Sequence, residues 1–166
     1  MTRVALLRAI NAGIALQMGD LRRIAAELGL ANPRTYIASG NLLFDGDLPD
    51  AEVKRLLETR LTENTAKPVT LTLRTAEELT ATAAANPFAQ APGNRVYATF
   101  LDTAPPTDTL TNHKHRTVEE IALGSREIFV HYPEGMGRSR LMIPAASTGT
   151  ARNMNTVAKL AELASA

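Results

Sequence analysis

Val4-Ala-Leu-Leu-Arg8-Ala-Ile-Asn11-Ala-Gly13 is an apolar run of strand length that ends in Asn and Gly. It reads as a central β-strand over Val4 to Ile10 that delivers a polar loop to one edge of a sheet. Arg8 interrupts the run, either as a solvent-facing side chain on a half-buried strand or as an anion contact. Downstream, Met18, Leu21, Ile24, Ala25 and Leu28 recur at helical spacing, and Gly29 supplies the stop. Thr35-Tyr-Ile37 and Leu42-Leu-Phe44 flank Ser39-Gly40-Asn41, the pattern of a hairpin, with a single bulged strand as the alternative. Asp50 is placed to cap a second helix carrying Val53, Leu56, Leu57 and Leu61, and Val69 to Leu73 follows as a strand. Residues 3–74 therefore read β-α-β-β-α-β, a split βαβ unit.

That order has a geometric consequence. A right-handed first crossover makes the first two strands parallel, so both end at the same edge of the sheet. The loop with Asn11 and Gly13 then converges with the turn at Ser39, Gly40 and Asn41, although they are far apart in sequence.

The second half is read in the same way. Thr75-Ala-Glu-Glu78 fits a capping box opening a helix to about Ala85, which Asn86-Pro87-Phe88 ends. Arg95 to Leu101 is a strand, and Pro105-Pro-Thr107 opens a short helix at most. Thr117 to Leu123 and Glu127 to Tyr132 flank Gly124-Ser-Arg126 as a hairpin, and Arg152 to Ala164 closes the chain as a helix. The order β-α-β-β-α echoes the first half, with no matching sequence repeat.

The bulk numbers exclude several classes. The chain has 166 residues, 45% apolar and 21% charged, enough for one domain or two small halves. With no Cys it has no disulfide, thiolate cluster or Cys nucleophile, which is compatible with a reducing cytoplasm. Val4 to Leu7 is too short for a signal-peptide core, and no apolar run approaches the roughly 20 residues that cross a bilayer. A net charge of +1, three Tyr and four Phe without an RNP-like pattern rank nucleic acid last among partners. The expectation is a cytoplasmic protein without a membrane partner.

Three polar constellations remain. Ser147-Thr-Gly-Thr-Ala-Arg152-Asn153-Met-Asn155-Thr156 precedes or opens the last helix, where a helix N-terminus and an Arg can hold an anion. The bland alternative is that Thr150 or Asn153 caps the helix and Arg152 is solvated. Gly135-Met-Gly-Arg138-Ser-Arg140 offers Arg138 and Arg140 as secondary phosphate candidates, but it lacks the Gly-Lys-Ser/Thr ending of a P-loop. His113 and His115 have no third metal ligand nearby and read as an exposed turn. No metal site, cofactor, dinucleotide motif or nucleophile elbow is expected, and no catalytic residue stands out.

Together, Val4-Ala-Leu-Leu-Arg-Ala-Ile-Asn11, Thr35-Tyr-Ile-Ala-Ser-Gly-Asn41, Asn86-Pro-Phe88, Gly137-Arg-Ser-Arg-Leu141 and Thr150-Ala-Arg-Asn-Met-Asn-Thr-Val157 resemble the bacterial DUF1697 family. The resemblance covers nearly the whole chain in order. It implies an α+β fold of two ferredoxin-like subdomains with mainly antiparallel sheets. The expected halves are residues 1–74 and residues 75–166 with the C-terminal helix, packed as a single compact unit. The resemblance also marks Arg8, Asn11, Ser39, Gly40 and Asn41, and Arg152, Asn153, Asn155 and Thr156, the residues nominated above as ligand-binding. Ala9 stands where the family usually has Gly, Met154 where Trp is common, and the segment from Leu141 to Arg152 is short.

The functional expectation is binding of a small anionic ligand, a nucleotide or phosphorylated metabolite, by these residues. A small transferase or hydrolase using the same groove is the alternative, and it would need a proton-transfer group there. A nucleic-acid module is third.

Overall fold

The computed structural model describes residues 1–166. The chain divides into two compact units, Met1–Glu78 with Glu162–Ala166, and Leu79–Ala161.

The first unit contains β1 (Thr2–Leu7), α1 (Met18–Glu27), β2 (Ala31–Thr35), β3 (Asn41–Asp45), α2 (Asp50–Thr65) and β4 (Leu71–Thr75). The sheet is antiparallel in the order β2-β3-β1-β4. Since β1 and β2 both run antiparallel to β3, they point the same way and end at one edge. Ala5, Leu7, Leu42, Phe44 and Leu71 pack with Leu21 and Ile24 of α1 and Val53, Leu57 and Leu61 of α2. Residues of the opposite parity, Val4, Leu6 and Leu43, are buried as well. Burial on both faces is why β1 reads as a continuous apolar run and not as an alternating one.

Two sequence expectations need correction here. β1 ends at Leu7, not Ile10, because Ala9 takes φ 62°, outside the extended region that a strand requires. Asp50 does not cap α2: Pro49 holds that position, and the Asp50 carboxylate accepts from Arg3 at 2.7 Å. The acid still favours the first turn through the helix dipole.

The second unit begins within α3 (Ala76–Ala84) and continues through β5 (Val96–Phe100), β6 (Glu120–Leu123), β7 (Glu127–His131) and β8 (Thr150–Asn153) into α4 (Met154–Ser165), whose last residues, from Glu162, belong to the first unit. The capping box at Thr75 is present, with the Thr75 amide donating to Glu78 at 2.9 Å and the Glu78 amide to Thr75 Oγ1 at 3.1 Å. The second sheet is antiparallel in the order β6-β7-β5-β8. The architecture is thus α+β with two four-stranded sheets of ferredoxin-like strand order. The connection after β5 holds only a 3-10 turn at Thr107–Leu110. The connections leaving β5 and β7 therefore cover the sheet with loops. Ile128 and Val130 pack there against Leu141, Ile143 and Tyr132.

The closing helix starts at Met154, and residues 150–153 form a strand that sequence reading missed. Strand register exposes an internal repeat. Leu6 sits opposite Asn41 and Thr72, and Val4 opposite Arg74. Phe100 sits opposite Glu127 and Thr150, and Ala98 opposite Arg152. Thr72-Leu-Arg74-Thr75 before α3 is therefore equivalent to Thr150-Ala-Arg152-Asn153 before α4. In both, the arginine is buried and donates to the carbonyl of the residue before it, at 3.0 and 2.9 Å. No helix is long and apolar enough to cross a membrane.

Candidate functional site

The rim of the first unit lies where β1 and β2 end. The Leu7 amide donates to Gly40 O at 2.9 Å, and the Arg8 amide to Thr70 O at 3.0 Å. Gly40 is required at this crossing. Its φ is 93°, and a Cβ would lie 3.0 Å from Leu7 Cβ and 3.1 Å from Ile10 Cβ. Beyond Arg8 the chain folds on itself, with the amides of Ala12, Gly13 and Ile14 all donating to Ala9 O.

Asn11 fastens this loop. Its φ is 57°, a conformation Asn tolerates. Its Oδ1 accepts from the Leu16 amide at 3.1 Å, and its Nδ2 donates to Leu16 O at 3.0 Å and to Ala38 O at 2.7 Å. Asn41 fastens the facing turn. Fully buried, it donates from Nδ2 to Tyr36 O at 3.0 Å and to Ser39 Oγ at 3.2 Å. Asn11, Ser39, Gly40 and Asn41 are thus brought to one rim. An amide nitrogen carries two protons, so both NH2 groups are committed to the protein itself.

The cations are placed differently. Arg8 is exposed and has no carboxylate partner. Arg22 of α1 donates to Thr35 Oγ1 at 2.6 Å, and Lys67 to Gly13 O at 2.9 Å. Arg22 and Lys67 are thus held to the rim by neutral oxygens, with no acid opposite either. The amides of Ile37 and Ala38 also make no internal bond. Arg22 and Lys67 were missed in the sequence because neither lies in a motif. Only the closing of the loop and turn brings them to this edge. All three histidines lie at 113, 115 and 131, in the second unit. The shifted carboxylates of the unit, Glu27, Asp45 and Glu52, are all pushed down, chiefly by hydrogen bonds from Arg60, Thr2 and Arg55 respectively.

The remaining sequence candidates belong to the second unit. Arg152 is not at a free helix terminus but on β8, 8% exposed, and burial pulls its guanidinium down to about 10. Asn153 caps α4, accepting from the Thr156 amide at 2.9 Å. Thr156 is itself buried. Asn155 lies against Gly93, where any Cβ would overlap its Oδ1.

Arg138 and Arg140 are exposed on the glycine-rich loop, whose interior is built around a carboxylate. Ser139 Oγ donates to Glu119 Oε2 at 2.5 Å, and the Thr117 amide to Glu119 Oε1 at 2.7 Å. These donors hold the Glu119 carboxyl down at about 2. Burial pushes the neighbouring Tyr132 phenol up to about 12, with the Glu119 charge adding to it. A phosphate cradled on Ser139 would meet that negative charge. Glu119 itself was missed, because it becomes special only when the loop closes over it.

The family model described as protein of unknown function DUF1697 matches residues 1–129. The solved structure of a conserved bacterial protein from Streptococcus pneumoniae is similar over 99% of this chain and 98% of its own, with TM-score 0.79 and 22% identity. That likeness extends to the fold. No curated protein matches the chain.

Proposed function

The chain belongs to the DUF1697 family, and we propose that the rim of its first unit binds a small anionic ligand, a nucleotide or phosphorylated metabolite. The observation that carries this reading is the set Arg8, Arg22 and Lys67. They stand at one rim without a carboxylate partner, in a chain whose net charge is only +1. Arg guanidinium groups suit phosphate through paired N–H donors. In this reading Asn11, Ser39, Gly40 and Asn41 shape the rim, while Arg8, Arg22, Lys67 and the amides of Ile37 and Ala38 meet the ligand. A cytoplasmic setting, with its phosphorylated metabolites, accords with the absence of cysteine.

Thermal unfolding with inorganic phosphate, pyrophosphate and a nucleoside triphosphate tests it. A ligand at about 100 times its Kd adds about 2.7 kcal/mol of stability. The expected result is stabilisation that Arg8→Ala combined with Lys67→Ala abolishes. Unchanged unfolding with all three anions, or stabilisation that survives the double variant, rejects the rim as the binding site.

A further inference from the structure

The second unit carries two basic segments, His113-Lys114-His115-Arg116 and Arg138-Ser139-Arg140. Folding places them together at two points. Lys114 and Met142 pair through both backbone bonds, at 2.8 and 2.9 Å. Glu119 gathers the other ends: its carboxylate takes Thr117 and Ser139, and its carbonyl accepts Arg116 Nε at 2.6 Å. Lys114, Arg116, Arg138 and Arg140 are exposed, and none pairs with a carboxylate. Met136 and Met142, 43% and 56% exposed, flank Arg138 and Arg140 in the same segment. This face covers the sheet with loops where the first unit uses α1 and α2.

We propose that this face is a docking surface for an acidic protein segment that also carries apolar side chains. Charge complementarity selects the acid, since four cations without a carboxylate partner stand here. Arg and Met are the side chains enriched where proteins meet, and Lys is depleted; three of these four cations are Arg. Guanidinium groups grip carboxylates in pairs, and methionine adapts its shape to an apolar neighbour. A single-stranded nucleic acid would call for exposed aromatic platforms. The tyrosines of this region instead engage each other, Tyr97 edge-on to Tyr132 at 5.7 Å. Surface-lying membrane segments are amphipathic helices, whereas these are loops tied to a sheet.

Fluorescence anisotropy on the full chain tests the proposal, with a labelled short peptide of alternating Glu and Leu as probe. Oligothymidylate and phosphatidylserine vesicles serve as competing polyanions. The expected result is peptide binding that weakens at least about tenfold in Arg138→Glu with Arg140→Glu, and likewise in Lys114→Glu. Met136→Ser with Met142→Ser should weaken it several-fold without changing its salt dependence, because apolar contact is not screened. Three results would overturn the proposal: no peptide binding, binding indifferent to the methionines, or equal or tighter binding of oligothymidylate or vesicles. The charge-reversed positions are exposed, so circular dichroism should match the parent chain. The separate Lys114→Glu variant guards against loss of fold in the double one.

Discussion

Replacing Asn41 should unlock the hairpin turn, and the structure sets the size of the effect. The side chain is fully buried and donates two hydrogen bonds, to Tyr36 O and Ser39 Oγ. Each is worth about 1 kcal/mol net, and the part-buried Tyr36 carbonyl left without its donor adds about 1 kcal/mol. Asn41→Ala should therefore cost about 3 kcal/mol, or roughly 6–12 °C in Tm for a chain of this size. Asn41→Asp is the sharper perturbation because it keeps the shape and removes the donors. At neutral pH it places a buried negative charge against the Tyr36 carbonyl, so it should cost more than the alanine variant. Burial raises the folded pKa of the new carboxyl above its unfolded value of about 3.9. Its best relative stability is therefore present below that value and is lost as pH rises through the raised one. Urea denaturation followed by circular dichroism across pH measures both variants. An Asn41→Ala cost below about 0.5 kcal/mol, or an Asn41→Asp penalty flat with pH, would refute the assignment of Asn41 as the lock of this turn.

Gly40→Ala meets both a left-handed backbone and the Leu7 and Ile10 side chains at 3.0–3.1 Å, so urea denaturation should show a loss of about 2–4 kcal/mol. Glu119 is held down at about 2 by Ser139 and Thr117, below an unfolded value of about 4.3. Its contribution should be present above the unfolded value and lost as pH falls toward 2, so hydrogen-exchange protection over residues 133–141, corrected for the intrinsic rate at each pH, should fall in that window. Glu119→Gln should show the lower protection already at neutral pH, with no further loss from this group on acidification.

Much of the first unit was legible in the sequence, because local rules and tertiary packing agree there. Leu21, Ile24 and Ala25 repeat at helical spacing and are the buried residues of α1. Thr75 and Glu78 satisfy each other as their spacing implies. The meeting of Asn11 with the 36–40 turn follows from strand order and the right hand of the crossover. Pairing and burial are another matter. β8 is four residues with an arginine in the middle, and it exists as a strand only because β5 offers its edge. Its likeness to Thr72-Leu-Arg74-Thr75 means nothing until register aligns the two sheets. The donors of Asn11 and Asn41 look available in the sequence and are spent in the fold, while Arg22 and Lys67 look incidental and stand at the rim with no acid opposite them. Side-chain type and period are properties of a short window of chain, so sequence alone determined the elements of the first unit and their order. Which polar groups are consumed and which are left over depends on neighbours dozens of residues away, and only the tertiary structure decided that.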